Sequence, residues 1–312
     1  MDKCKIYYMN AENKIEKCNC CPRNCNAKRK DNKPGYCQTG DGFSIASIVR
    51  HLGEEPVISG KSGICNIFFT GCNLRCIYCQ NHQISQTVSA QFNRNLDFIV
   101  AEVKKLMDSG VQAVGFVSAS HVFNQVLKII SELHKSHIYP IIVYNTNAYE
   151  KTENIKALEG IVDVYLPDFK YISPGISLKY SGAADYPENA MAVIGEMYRQ
   201  KGSTLHLNED GIAEKGLIIR HLVLPGHVDE SKKVLKYIAE EISTGVSISL
   251  MSQYYPAYKA KGHKTIGRSL YTNEYQDIVN FFYKLGFRNG FLQSLESNEL
   301  YLPDFESDKP FK

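Results

Sequence analysis

Thr70-Gly71-Cys72-Asn73-Leu74-Arg75-Cys76-Ile77-Tyr78-Cys79-Gln80-Asn81 follows directly on the apolar run Ile67-Phe68-Phe69. A short β-rich run therefore delivers three cysteines at C-x3-C-x2-C spacing into one loop. Buried cysteine often serves only as a small apolar residue, but three at this spacing in a strand-to-loop context point to chemistry. Three thiolates can hold three irons of a 4Fe-4S cluster, which ordinarily takes four cysteines, and so leave the fourth iron without a protein ligand. An open coordination position implies a reaction there.

The other cysteines extend this reading. The chain has ten, all between residues 4 and 79, and none in the 233 residues that follow. The opening Met1-Asp2-Lys3-Cys4-Lys5-Ile6-Tyr7-Tyr8 has no apolar export core, so a cytoplasmic location is expected, where thiols stay reduced and serve metals or catalysis. Cys18, Cys21, Cys25 and Cys37 form a second group at metal-binding density. Four thiolates suit tetrahedral zinc or a second, closed Fe-S cluster, and spacing leaves both open, with free thiols a third reading. Cys20 is an alternative ligand, and Cys65 is expected to be buried filler.

At 312 residues the chain is long enough for about two units, or for one α/β barrel with an appendage. Hydrophobic residues make up 44% and charged residues 22%, with a net charge of +3. That is a globular composition, too weakly basic to favour nucleic acid or an anionic membrane as partner. No stretch approaches the length of apolar residues that spans a bilayer.

Beyond the cysteines, short apolar runs alternate with amphipathic helical patterns, the signature of βα units and a parallel sheet. Strands are expected at Asn66-Thr70, Gln112-Ser118, Tyr139-Tyr144, Ile161-Leu166, Leu217-Leu224 and Val246-Met251, and helices at Asp97-Asp108, Val122-His134, Glu230-Ile242 and Glu274-Leu285. Lys201-Lys215 reads as a polar loop. Six units fall short of a closed eight-fold barrel, so an open partial barrel is expected, with a doubly wound sheet as the alternative. In either, ligands gather at the carboxyl ends of the strands. The polar residues at those ends are Ser118, Ser120 and His121, then Asn145, then Asp168 and Lys170, then Arg220, with Tyr254 after the last strand. Asp168 can accept from hydroxyls or bind a cation, and Lys170 can meet a carboxylate. Arg220 lies in the apolar run Leu217-Leu224, where an unpaired charge is costly and demands a partner, either a bound carboxylate or a structural ion pair.

The triad, with Tyr78 before its last cysteine, resembles the signature of the radical S-adenosylmethionine (SAM) superfamily, C-x3-C-x-aromatic-C. Within it the chain is similar to the pyruvate formate-lyase activating enzyme group, in particular to longer relatives with an N-terminal cysteine module. Phe68-Phe69-Thr70-Gly71-Cys72 resembles that group's entry to the cluster loop, and Tyr144-Asn145-Thr146-Asn147 its Asp-Thr-Asn-Gly motif. Leu166-Pro167-Asp168-Phe169-Lys170 resembles its Asp-Leu-Lys motif, and Arg220 through Gly226 its Arg-Tyr-Val-Val-Val-Pro-Gly strand. The resemblance implies an α/β fold, a partial (βα)6 barrel of radical SAM type over residues 61–295. A small cysteine-rich metal-binding module (1–60) would precede it and a tail (296–312) follow.

It further implies a 4Fe-4S cluster on Cys72, Cys76 and Cys79 that chelates SAM and yields a 5'-deoxyadenosyl radical on reduction. Tyr78, Ser118, Ser120, His121, Asn145, Asp168, Lys170, Arg220 and Tyr254 would surround SAM. Asn145, Thr146, Asp168 and the Leu166 carbonyl correspond to a small cation site, with Asn145 where the group carries aspartate. Two motifs depart from the group: Ser118-Ala119-Ser120-His121 stands in place of Gly-Gly-Glu, and Gln253-Tyr254 in place of a histidine.

The expected activity is hydrogen abstraction from a protein or peptide, as in a glycyl radical enzyme activase, with flavodoxin or ferredoxin as one-electron reductant. A small-molecule substrate is one alternative. An Fe-S electron-transfer or sensing protein without SAM turnover is the other, but it needs no six-strand barrel with charged strand ends.

Overall fold

The computed structural model describes residues 17–31, 33–295, 303–307 and 310–311. Cys4 and the N-terminal residues lie outside the described residues. The strands are β1 (Phe43–His51), β2 (Ile64–Phe69), β3 (Asn93–Arg94), β4 (Ala113–Val117), β5 (Ile141–Thr146), β6 (Val164–Pro167), β7 (His206–Leu207), β8 (Ala213–Leu222), β9 (Ser247–Met251) and β10 (Gly290–Leu292).

The sheet runs β10-β9-β8-β6-β5-β4-β2-β1-β3, and its two ends do not meet. The six expected strands, β2, β4, β5, β6, β8 and β9, are consecutive parallel neighbours. β2, β4 and β6 are buried along their whole length, as parallel strands covered on both faces must be.

Alternation along the strands makes two layers. Cys65, Ile67 and Phe69 of β2 face the helices, joining Ile99 and Val103 of the helix Leu96–Asp108 in the main core. Ile64 faces the other way, into a smaller apolar cluster with Ala113, Val143, Val164 and Ile218. Ile58, carried by the short helix Pro56–Ser59 in the β1–β2 connection, belongs to the same cluster.

Several elements differ from the sequence reading. β1 pairs antiparallel with β2 from Ile45↔Phe69 to His51↔Ile64, so the sheet begins near residue 43 and not at the expected boundary of 60/61. β1 lies within the cysteine-rich stretch, and its burial does not alternate regularly along the strand. β10 adds a seventh parallel strand beside β9. The expected loop Lys201-Lys215 contains a small hairpin, β7 against β8, turned at Asn208–Gly211. A helix at Tyr186–Lys201 went unread because Pro187 and Gly195 blur its period, although proline in a first helical turn is favourable. The Glu230-Ile242 pattern divides into the helix Val228–Tyr237 and a π turn, Ile238–Ile242. Part of the expected tail returns to the sheet: Phe305 and Phe311 pack on Phe68 with ring centroids 5.3 Å away in each case.

Candidate active site

The carboxyl ends of β2, β4, β5, β6, β8 and β9 surround a cavity of about 240 Å³. Cys72, Cys76, Tyr78 and Cys79 line it, as do Ser118, Asn145, Asp168, Lys170, Arg220 and Tyr254. The sheet thus brings together cavity residues as far apart in the sequence as Cys72 and Tyr254, 182 positions.

The cysteine loop is held by its backbone. Gly71 has φ +74°, and a Cβ there would fall 2.4 Å from the Cys37 carbonyl oxygen, so only glycine suits the turn. The Arg75 and Ile77 amides donate to the carbonyls of Ser181 (3.0 Å) and Tyr180 (2.9 Å), fixing the loop to the end of the helix Pro174–Ser181. The Arg75 guanidinium donates to the Tyr36 carbonyl at 2.6 Å.

Each sulfur has a polar neighbour. The Leu74 amide (3.4 Å) and Asn147 Nδ2 (3.5 Å) donate to Cys72 Sγ. Ser181 Oγ lies 3.0 Å from Cys76 Sγ, and Ser85 Oγ 3.2 Å from Cys79 Sγ. Burial pushes the Cys72 thiol up to about 12 and the Cys79 thiol up to about 11, and raises Cys76 as well. Such thiols are protonated at neutral pH unless a metal displaces the proton.

The donor set fits a 4Fe-4S cluster: three soft ligands, each with a donor in place. Among the described residues no three His, Cys, Asp or Glu side chains converge as a single metal ion requires. Cluster thiolates bind different irons and need no common point.

The opposite wall is ionic. Lys170 Nζ lies 2.6 Å from Asp168 Oδ2, and the Tyr186 hydroxyl braces both residues, accepting from the Lys170 amide (2.9 Å) and donating to the Asp168 carbonyl (2.6 Å). Burial opposes the Lys170 charge most strongly, yet Asp168, Cys76 and Tyr186 together outweigh it and raise the pKa above the ordinary lysine range. Thr146 Oγ1 is turned to Glu150 (2.7 Å) and Lys170 pairs with Asp168, so these two residues of the implied cation site are engaged within the chain.

Arg220 is paired with two carboxylates. Its Nε donates to Glu55 Oε1 at 2.9 Å, and Nη2 contacts both Glu54 and Glu55. Burial works against the Arg220 charge, but Glu55 and Glu54 more than compensate and raise its pKa. Asn66 Nδ2 donates to Glu54 Oε1 at 2.7 Å. Of the two partners expected for Arg220, the structural ion pair is the one formed. Glu54 and Glu55 went unread, and the available signal was a buried arginine lacking an acid within its own apolar run, Leu217-Leu224.

Ser118 lines the cavity in a left-handed turn (φ +51°), its amide donating to the Asn145 carbonyl at 2.7 Å. Ser120 and His121 do not line it. Ser120 Oγ meets Thr146 Oγ1 and Asn147 Oδ1 at 3.3 Å. His121 Nε2 donates to the Thr70 carbonyl at 2.8 Å, and its Nδ1 has no partner. Burial lowers its pKa to about 4, so the ring is neutral at pH 7 and braces the cluster loop from behind. The Tyr254 hydroxyl donates to the Ile266 carbonyl (2.6 Å) while its ring tilts against Tyr78, centroids 5.8 Å apart.

The N-terminal cysteines gather behind this loop. Cys18 and Cys20 sulfurs lie 3.4 Å apart, and Arg29 Nη2 donates to Cys37 Sγ at 3.1 Å. Arg29 Nη1 donates to the His121 carbonyl at 2.8 Å, and Arg29 Nε is buried without a hydrogen-bond partner. Cys20, held in reserve by the sequence reading, is central here, whereas Cys25 is exposed. Cys65 is buried filler within the core, as expected.

A profile of the Radical SAM superfamily matches residues 66–238. The chain belongs to the radical SAM superfamily. The superfamily implies a 4Fe-4S cluster and SAM, and Cys72, Cys76 and Cys79 in the lining of the cavity are the residues that would hold such a cluster. The chain is 30% identical over 278 residues to the uncharacterised protein MJ0674 of Methanocaldococcus jannaschii, covering 86% of this chain and 75% of that protein. It is also similar to Streptococcus suis SuiB, solved with its precursor peptide SuiA and with SAM. Identity is 12% and TM-score 0.47 in both cases, over 76% and 73% of this chain. The chain spans about half the length of those SuiB chains. No helix among the described residues is long and apolar enough to cross a membrane.

Proposed function

We propose that the protein abstracts a hydrogen atom from a protein or peptide substrate, in the manner of the glycyl radical enzyme activating enzymes that its motifs resemble. A 4Fe-4S cluster with SAM, when bound, would supply the one-electron cleavage that starts this abstraction. The chain's own residues bind and shield. Cys72, Cys76 and Cys79, which line the cavity, would hold the cluster. Asp168, Lys170 and the Ser118 turn offer polar groups for SAM, and Tyr78 and Tyr254 form an aromatic wall that limits water.

The supporting observation for a polypeptide substrate is the cavity's mouth. Pro303 and Phe311, from a segment of the chain's own C-terminus, already line it. A mouth that seats one polypeptide segment suits another, whereas a small substrate favours a closed pocket. The radical chemistry is tested by anaerobic reconstitution with SAM and a strong one-electron reductant. Formation of 5'-deoxyadenosine is expected, with loss of cluster and product in the Cys72→Ala/Cys76→Ala/Cys79→Ala variant. Product from that variant refutes the assignment. Substrate class is tested by adding candidate glycyl radical enzymes, with flavodoxin or ferredoxin as reductant, and seeking a protein radical by electron paramagnetic resonance (EPR). A small metabolite that alone accelerates SAM cleavage, gaining or losing hydrogen stoichiometrically, overturns the polypeptide reading.

The N-terminal cysteines belong to the same proposal as a second centre, on Cys18, Cys21, Cys25 and Cys37 with Cys20 available. Zinc requires its four sulfurs at one tetrahedral point, and these side chains do not converge so. A second Fe-S cluster spreads its ligands, and Arg29 then donates to a thiolate ligand. Metal and sulfide analysis of the triple-alanine variant decides it: residual iron and sulfide support the cluster, one zinc replaces it with the alternative, and a metal-free folded chain refutes both.

A further inference from the structure

We infer that a chain of three buried hydroxyls, Tyr78, Tyr171 and Ser181, sets the reduction potential of the cluster by feeding a hydrogen bond to Cys76. The inference rests on the triad holding a 4Fe-4S cluster, and it joins the motif's Tyr78 to two residues, Tyr171 and Ser181, that neither the motifs nor the superfamily assignment singles out. Tyr78 Oη lies 2.5 Å from Tyr171 Oη, Tyr171 Oη 3.0 Å from Ser181 Oγ, and Ser181 Oγ 3.0 Å from Cys76 Sγ.

Each hydroxyl has one proton and can both donate and accept, so the contacts alone do not orient the chain. Ligation does. A cysteine bound to iron is a thiolate with no proton to give, so Ser181 must donate to Cys76 Sγ. Its only proton is then spent, so it accepts from Tyr171, and Tyr171 in turn accepts from Tyr78. The aromatic residue of the cysteine motif thus heads a one-way relay that ends on the motif's own middle sulfur.

All four residues involved are buried or nearly so, where hydrogen bonds polarise one another along a chain. Donors to cluster sulfurs draw off negative charge and favour the more reduced, more negative state, which raises the potential. The three sulfurs are not served alike. Cys79 receives the Ser85 hydroxyl, itself supported by Gln86 Nε2 at 3.2 Å, and Cys72 receives two longer N–H contacts. Cys76 alone among them is reached by a three-hydroxyl chain.

Ser181 also has a separable structural role, because its backbone carbonyl accepts from the Arg75 amide. A side-chain deletion leaves that contact in place. These are tuning residues, and the readout is a potential, which a merely structural role does not move systematically.

The experiment is an EPR-monitored redox titration of the reconstituted full chain, without SAM, for the wild type and for Ser181→Ala, Tyr171→Phe, Tyr78→Phe and Ser85→Ala. Ser181→Ala is expected to lower the ratio of reduced to oxidised cluster at one fixed poise about tenfold, a shift of about 59 mV to more negative potential for a one-electron couple. Tyr171→Phe should give a smaller shift of the same sign, since Ser181 still donates but is no longer polarised, and Tyr78→Phe a smaller one again. Ser85→Ala should shift in the same direction by less than Ser181→Ala. The phenylalanine variants keep both rings, so the ordering can be read even if Ser181→Ala folds poorly. Midpoints for Ser181→Ala and Tyr171→Phe equal to the wild type's overturn the inference while leaving the cluster assignment standing. Absence of any cluster signal in reduced wild-type protein overturns the assignment beneath it.

Discussion

Replacing Arg220 with methionine should destabilise the protein, and by less as the pH falls. The guanidinium is 7% exposed and meets Glu54 and Glu55, while Glu54 also accepts from Asn66. Removing one partner of a buried ionic group leaves uncompensated charge, at a cost of roughly 3–5 kcal/mol. With about 2.1 cal/mol/K of unfolding entropy per residue, a chain of this length should lose roughly 5–8 °C in Tm at pH 7.

The sign follows from Glu54. Burial raises its pKa, but Arg220, with His51 and the hydrogen-bonding partners, turns the net shift downward. A depressed carboxyl contributes stability that is fully present above its unfolded pKa and is lost as pH falls through the folded value. Between pH 7 and 5 the wild type therefore keeps this contribution. In Arg220→Met the burial effect is left without its main opponent, the folded pKa rises, and protonation on acidification relieves the strain. The variant's deficit should shrink from pH 7 to 5. The neutral variant Glu54→Gln/Glu55→Gln/Arg220→Met should recover most of the lost Tm at pH 7. Thermal melts by circular dichroism at pH 7, 6 and 5 measure all three. A deficit that is constant with pH and unrelieved in the triple variant refutes the reasoning.

Gly71→Ala should impair cluster retention while leaving secondary structure intact, because the new Cβ meets the Cys37 carbonyl and Thr39 Oγ1 (2.5 Å); absorbance after reconstitution reads this. His121, with its folded pKa lowered by burial to about 4, binds no proton between pH 7 and 5.5 whereas the unfolded chain does. Wild-type stability should consequently fall by roughly 1 kcal/mol more over that range than that of His121→Gln, measured by urea unfolding. Deleting residues 303–312 uncovers Phe68 and opens the mouth lined by Pro303 and Phe311, so oxygen should bleach the cluster faster, by several-fold in initial rate. An unchanged rate would show that this segment does not shield the cavity.

The sequence by itself determined the triad Cys72, Cys76 and Cys79, the six parallel strands and the polar strand ends Asn145, Asp168 and Lys170. Those features are local: a cysteine spacing within eight residues, apolar runs of strand length, and charges placed where a strand stops. Periodicity also sufficed for the helices Leu96–Asp108, Phe123–Lys135 and Thr272–Lys284. What the sequence could not settle were partnerships across distance. Arg220 needed an acid, and two lie about 165 positions away, in the β1–β2 connection that only pairing with β2 brings under the cavity. Ser120 and His121 sit beside Ser118 in sequence, yet the left-handed turn at Ser118 and the short helical turn Ala119–Val122 carry them behind the wall. Ser181 meets Cys76 across 105 residues because the helix Pro174–Ser181 ends against the cysteine loop. Linear spacing encodes which elements form. Which side chains then share a hydrogen bond depends on strand register and helix placement, and those are decided only when the whole sheet assembles around its buried core.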